Sequence, residues 1–215
     1  MLPKDYKGGA GHRLYTEDDT FPSSMDPYIL VSIPPKDHAA CNNPDEQSQW
    51  ITRASTKARL VQTQGYPQAL HRLHGPDPCV VVKTPTMGFG MFATRNIRLG
   101  ELIIRERPLL VMPVGLPIPT VPAHYTSVQT LSVAMYEWEK NFLEIALSKM
   151  TAGNQKAYMD LANDHTEDGS GPLLGIARTN GYGIGIRDGA GEVRYEDNRN
   201  AYSATGKLGS RINHR

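Results

Sequence analysis

The sequence predicts a mostly β chain with inserted helices, and three observations lead to this fold class. Two short apolar runs rich in β-branched residues occur at 28–33 and 79–83, and Pro34 and Pro35 halt the first of them. Between residues 87 and 110, two apolar runs flank a polar string, which is the pattern of a strand, a turn and a strand. From 127 to 150, one stripe of apolar residues recurs at steps of three and four, which indicates a long helix.

Size and charge bound the functions that the chain can have. The 215 residues are 39% hydrophobic and include 16 prolines and 20 glycines, which suffices for one modest core and not for two. Lysine and arginine number 23 against 22 acidic residues, so the net charge of +1 gives no case for nucleic-acid binding.

Two further features bear on the compartment. The only cysteines, Cys41 and Cys79, are predicted to be free thiols, because nothing marks the chain as secreted. The N-terminus lacks the apolar core of a signal peptide, and charges and prolines break the most apolar segment, 102–118, so that it cannot span a bilayer. We therefore expect a soluble intracellular protein, nuclear or cytoplasmic.

Residues 1–78 are predicted to form an N-terminal extension of unknown role. We expect a disordered tail to about residue 27, then an edge strand or docking segment at 28–33. A helix capped by Asp45 is predicted from about 46 to 63, since apolar residues follow at helical spacing: Trp50, Ile51, Ala54, Ala58 and Val61. His71 and His74 are predicted to be surface residues and not metal ligands, because no third ligand has a suitable spacing.

The stretch from 79 to 110 organises the middle of the chain. A strand at 79–83 leads into Gly88-Phe89-Gly90, a strand at 91–93 and a turn in which Gly100 is expected to need a positive φ. A second strand is predicted at 102–104. The two glycines remove Cβ atoms and would let a ligand approach the main chain, although a lone Gly-x-Gly is more often an ordinary turn or bulge.

Helices dominate the next segment. Thr126 or Ser127 is predicted to cap a core-facing helix that ends near Met150, and a shorter helix follows at 155–162. Pro172 suits the first turn of a helix through about 178. A strand at 179–184, a turn at 188–191 and a returning strand at 192–195 complete the prediction.

The stretch 87–110 resembles the opening segment of the SET domain, the fold of S-adenosylmethionine-dependent protein-lysine methyltransferases. The family pattern is a Gly-x-Gly, an apolar residue with Phe-Ala, a short basic turn ending in Gly-Glu, and a closing Glu-x-Pro-Leu. The matching residues here are Gly88-Phe89-Gly90, Met91-Phe92-Ala93, Gly100-Glu101 and Glu106-Arg107-Pro108-Leu109. This resemblance implies a β-clip SET fold.

A second match lies at the end of the sequence. Ser210-Arg211-Ile212-Asn213-His214 is similar to the approach to the family's Asn-His-Ser-Cys motif, with Arg215 where the family has Ser. The resemblance thus implies a partial SET domain over 79–215, truncated at Asn-His, with a helical insertion at about 120–178.

The resemblance also implies roles in binding the cofactor, S-adenosylmethionine. The main chain of Gly88, Phe89, Gly90 and Met91 would cradle its amino-acid end, and Asn213 and His214 would meet its adenine and carboxylate. Asn180, Ser210 and Ile212 are further candidates for the pocket. For Asn180 and Ser210 the alternative stays open that the asparagine caps a turn and that the serine is solvated.

The catalytic tyrosine of the family follows the Asn-His motif, so it is expected downstream of Arg215, and Tyr182, Tyr195 and Tyr202 are not assigned this role. Two hypotheses follow. The chain is the N-terminal portion of a methyltransferase that acts on a protein lysine, with histones among the candidate substrates, or it is an inactive SET protein that serves as a protein-binding module. For the 215 residues as given, we expect no methyl transfer and weak or absent cofactor binding.

Overall fold

A computed structural model describes residues 2–9, 11–41, 43–70, 75–86, 88–185 and 201–212. It is a mixed α/β fold. The strands are β1 (Leu14–Thr16), β2 (Tyr28–Ile33), β3 (Ser48–Arg53), β4 (Cys79–Thr84), β5 (Gly88–Ala93), β6 (Leu110–Pro113), β7 (Gly181–Gly185) and β8 (Ala201–Thr205). The helices are α1 (Ala54–Gln62), α2 (Ser127–Trp138), α3 (Glu144–Lys149), α4 (Ala152–Met159) and α5 (Gly171–Asn180).

Six of the strands form one sheet in the order β1-β2-β3-β6-β8-β7, and β4 and β5 form a separate two-stranded hairpin. The β1–β2 and β3–β6 pairs are parallel, and the other pairs are antiparallel. Strands from both sides of the predicted boundary at residue 78 therefore share one sheet. The assignment of 1–78 and 79–215 to separate units stays a prediction of the sequence.

Alternation along β2 directs side chains to the two faces of the sheet. Tyr28 and Leu30 join the larger core, which also holds Trp138, Phe142 and Leu174 from the helical segment. The alternate residues Ile29, Val31 and Ile33 face the other side of the sheet. They pack with a smaller cluster that includes residues of α1. The helices thus cover both faces of the sheet, with α1 on one side.

The predicted helix from 46 to 63 is wrong in its first half. Residues 48–53 form β3, which pairs in full with β2, and the helix begins only at Ala54. Trp50, Ile51 and Thr52 are residue types that favour a strand, and the pairing partner at 28–33 decided between the two patterns. Asp45 lies in a 3₁₀ turn, Pro44–Glu46, and does not cap α1, whose first residue follows Arg53.

Two expectations for the N-terminal segment are also corrected. Leu14–Thr16 forms β1 in the segment that was expected to be disordered. Because β1 pairs with β2, residues 28–33 form an inner strand and not an edge strand.

In the organising stretch, the first strand and the turn are confirmed, and the second strand is not. Gly100 has φ of +80°, while residues 102–104 have no regular secondary structure. Since β5 already pairs with β4, which precedes it, the chain after the turn continues as an irregular segment to β6 at Leu110.

The long helix is confirmed from Ser127 to Lys149, as α2, a π-helical segment Glu139–Leu143, and α3. Thr126 caps it in a capping box with Gln129. Within the π segment, the buried Glu139 carboxylate accepts the N–H groups of Leu173 and Leu174 at 2.9 and 2.7 Å and so joins this helix to α5. Burial raises the pKa of Glu139, and the two N–H groups oppose that change.

The remaining predicted elements lie close to their expected positions. The short helix is α4, which starts at Ala152 and not at 155, and α5 extends through Asn180, so that β7 starts at Gly181. The predicted turn at 188–191, the strand at 192–195 and both His71 and His74 lie outside the described residues. Cys41 and Cys79 are free, as predicted.

Among the described residues there is no helix long and apolar enough to cross a membrane. The same part of the chain holds no group of three or more residues arranged to bind a metal ion.

Candidate functional site

The Gly-x-Gly sequence begins β5, directly after the hairpin turn. Gly88 has φ of +69°, a conformation that glycine adopts without strain, and its carbonyl accepts a hydrogen bond from Thr84 Oγ1 at 2.9 Å. Gly90 pairs with Val82 and is buried, while the Phe89 side chain stays partly exposed. The local sequence therefore produces a tight hairpin that presents Phe89 at its surface.

A 3₁₀ turn, Gly209–Arg211, lies against this hairpin. The Arg211 guanidinium is 4.7 Å from the centroid of the Phe89 ring, and Arg211 Nη2 donates to the main-chain oxygen of Asp160 at 2.9 Å. The two segments that carry the sequence resemblance are thus in direct contact, although more than a hundred residues separate them in the chain.

Glu106 fixes the loop that leads into this turn. Its carboxylate accepts three consecutive main-chain N–H groups, from Lys207 at 3.1 Å, Leu208 at 2.8 Å and Gly209 at 2.7 Å. A Cβ atom at Gly206 would collide with the same carboxylate. The position of the Glu106 carboxylate therefore requires a glycine at residue 206.

Two further hydrogen bonds join the turn to β7 and α5. Tyr182 Oη donates to the carbonyl of Gly209, and Ser210 Oγ donates to the carbonyl of Asn180 at 3.2 Å. Burial, together with the nearby charge of Glu106, raises the pKa of Tyr182.

The Asn180 side chain has a structural role in this arrangement. Its amide group donates to the carbonyls of Ala162 at 2.7 Å and Ile176 at 2.8 Å, and the residue is buried. Its main-chain oxygen accepts the hydrogen bond from Ser210 Oγ in the turn. The sequence left open whether Asn180 lines the cofactor pocket or has a structural role, and the geometry favours the structural role at the end of α5. Ser210 is not simply solvated, because its hydroxyl donates to the Asn180 carbonyl.

A cavity of about 620 Å³ lies between the hairpin, α4 and the 3₁₀ turn. The residues that line it are Val81, Phe89, Gly153, Lys156, Ala157, Asp160, Lys207, Leu208 and Arg211. A second cavity of about 910 Å³ shares Val81, Lys207 and Leu208 with it and extends past Met91 and Glu106. We call the two together the hairpin groove. Each cavity has the size of a small-molecule site.

Two of the nine predicted site residues line this groove. Phe89 lines its smaller cavity and Met91 its larger one, and Gly88 and Gly90 belong to the same strand. Ser210 lies in the adjoining turn, which Ile212 follows. Asn213 and His214 lie outside the described residues.

Four residues at the groove were missed as site residues: Glu106, Lys156, Lys207 and Arg211. Glu106 and Arg211 lay inside the motifs themselves, but a motif does not reveal which atoms its side chains contact. Nothing in the sequence marked Lys156 and Lys207 as site residues, because lysines are common on exposed helices and loops.

Tyr202, which the sequence excluded as a catalytic residue, is fully buried away from this groove. Its hydroxyl hydrogen-bonds to Thr52 Oγ1 at 2.9 Å and donates to Thr56 Oγ1 at 3.3 Å, which links β8 to β3 and α1. Tyr195 lies outside the described residues.

Comparisons of this chain with protein-family models, with curated proteins and with solved structures found no match.

Proposed function

We propose that the chain belongs to the SET-domain class of protein-lysine methyltransferases, with the β-clip fold of that class, and that the hairpin groove is its site for S-adenosylmethionine. One observation carries the proposal. Glu106, from the Glu-x-Pro-Leu element, holds the loop that leads to Asn213 and His214, and Arg211 of that loop packs on Phe89 of the Gly-x-Gly element. Segments recognised separately in the sequence thus form one structural unit.

The residues of the groove are suited to a nucleoside with an amino-acid end. Gly88 is exposed and has no Cβ atom, which lets a ligand approach the main chain at the start of β5. The Phe89 ring and Val81 offer apolar surface for the uncharged parts of the ligand. By resemblance, Asn213 and His214 would contact the adenine and carboxylate.

When bound, S-adenosylmethionine supplies a methyl group for in-line displacement by a deprotonated lysine amine about 3 Å away. The chain's part in this reaction would be to position the donor and exclude water from it. Because Phe89 and Met91 line the groove, we expect the 215-residue polypeptide to bind the donor weakly but saturably. A protein lysine as substrate, with histones as candidates, and an intracellular location belong to the same proposal.

The test compares two phenylalanines of one strand. Phe89 lines the groove, and Phe92 on the opposite face of β5 does not. In saturation-transfer NMR titrations with S-adenosylhomocysteine, we expect Phe89→Ala to weaken binding about fivefold, since it removes roughly 1 kcal/mol of ring contact. Phe92→Ala should bind like the wild type. The absence of saturable binding to the wild type, or an equal loss in both variants, would contradict the proposal.

A second candidate function, an inactive protein-binding module, is favoured by the outer face of the hairpin. There Val82 and Phe92 are 46% and 48% exposed and form an apolar surface. An assay of labelled S-adenosylmethionine on histones and a peptide library separates the candidates. Turnover by the purified polypeptide would exclude the inactive module.

A further inference from the structure

The side chains that line the smaller cavity of the hairpin groove carry an excess of positive charge. Three cationic side chains from separate elements line it: Lys156 of α4, Lys207 of the loop after β8, and Arg211 of the 3₁₀ turn. Of the residues that the structure describes, Asp160 is the only carboxylate in the lining of this cavity. In a concave site such an excess of positive charge attracts anions more strongly than on a flat surface.

Arg211 is held in place before any ligand arrives. Its guanidinium packs over the Phe89 ring and donates to the main-chain oxygen of Asp160, so both contacts leave its positive charge without a carboxylate partner. An arginine fixed in this way loses little conformational entropy when it binds an anion.

The two lysines differ in their partners. Lys156 pairs with Asp160 at 2.7 Å, and the pair is largely exposed, so solvent weakens it. In the part of the chain that the structure describes, neither Lys207 nor Arg211 forms an ion pair with a carboxylate. The nearby Glu106 carboxylate is directed at the main-chain N–H groups of the loop, including that of Lys207.

We propose that Lys156, Lys207 and Arg211 form an anion-binding site, which takes the phosphate or carboxylate group of a small ligand. The apolar part of that ligand would contact Phe89 and Val81 on the hairpin side of the same cavity. The site goes beyond the cofactor proposal, since its charges define it whether or not a nucleoside binds in the groove.

The experiment uses calorimetric titrations of the 215-residue protein, in a buffer without phosphate or carboxylate, with three probes. Pyrophosphate carries phosphate, S-adenosylhomocysteine carries a carboxylate, and 5′-methylthioadenosine carries neither. Lys156→Gln and Lys207→Gln should each weaken binding of an anionic probe about threefold to tenfold, since each removes one nearby charge. Added salt should weaken it further. The exposed Lys149→Gln on α3 is the matched control and should have no effect.

Dependence of pyrophosphate or S-adenosylhomocysteine binding on both lysines, with 5′-methylthioadenosine unaffected, supports the site and tells which anion it prefers. Anion binding that is unchanged in both lysine variants, or absent altogether, overturns it.

The cofactor proposal is judged separately by the same titrations. If S-adenosylhomocysteine binds and loses affinity in Phe89→Ala, and neither its binding nor that of pyrophosphate depends on the lysines, the cofactor proposal stands and the anion site fails. If pyrophosphate alone binds and needs the lysines, the anion site stands and the cofactor proposal fails.

Discussion

At the scale of single residues, Glu106 holds the loop beside the candidate site. One carboxylate accepts three adjacent N–H groups, and these belong to the loop that precedes Asn213 and His214. Hydrogen bonds to an ionised acceptor are stronger than neutral ones, and no neutral side chain offers the same two acceptor oxygens. The geometry of the loop therefore depends on this residue.

We predict that Glu106→Gln opens the loop locally. The amide keeps one acceptor oxygen and directs an NH₂ group at N–H donors, so amide hydrogen exchange at Lys207, Leu208 and Gly209 should become about tenfold faster or more. NMR-detected exchange measures this directly.

The control is Glu101→Gln, which removes a carboxylate that bonds Arg98 and Arg95 in the turn after β5. That variant should leave exchange at residues 207–209 unchanged. Equal protection of these three amides in wild type and Glu106→Gln would refute the role assigned to Glu106.

The hydrogen-bond partners of individual side chains were the hardest feature to predict from the sequence. The motifs placed Phe89, Ser210 and Ile212 near one site. They did not show that the Asn180 amide group donates to the carbonyl of Ala162, before α5, and to the carbonyl of Ile176, within α5. Side-chain partners depend on which backbone carbonyls tertiary packing brings near, and one sequence does not contain that information.

At the scale of elements, the spacing of apolar residues predicted the secondary structure correctly over a long segment and was ambiguous over a short one. The stripe over 127–150 has enough turns to specify a helix, and the capping box at Thr126 fixed its start. Over 48–53 the same apolar positions fit a strand as well as a helix. The pairing with β2 decided for the strand, and pairing over distance cannot be read from a local pattern.

Substitutions at two positions of the mispredicted helix test whether residues 48–53 form a strand or a helix. Ile51 is fully buried in β3, whereas Val61, which shares its helical stripe in the prediction, is 55% exposed on α1. We expect Ile51→Ala to lower the free energy of unfolding by about 2–5 kcal/mol. Val61→Ala should change it by less than about 0.5 kcal/mol. Urea denaturation of the two variants gives both values, and similar losses would mean that β3 is misassigned.

At the scale of the whole molecule, the fold is a six-stranded sheet with a separate hairpin, and the groove lies along the hairpin next to α4 and the 3₁₀ turn. Composition and element patterns predicted a β-rich chain with inserted helices. They did not predict that 1–78 supplies three strands to the central sheet, because strand order depends on contacts between distant segments. The groove itself exists only through that long-range assembly.

The most direct measurement of the central claim is ultraviolet crosslinking of S-adenosyl[methyl-³H]methionine to the protein, followed by peptide mapping. We predict that S-adenosylhomocysteine suppresses the labelling and that the label lies in peptides containing residues 88–91 or 207–214. Label confined to other peptides, such as those of α1, or labelling that the competitor does not reduce, would contradict the assignment of the hairpin groove as the methyl-donor site.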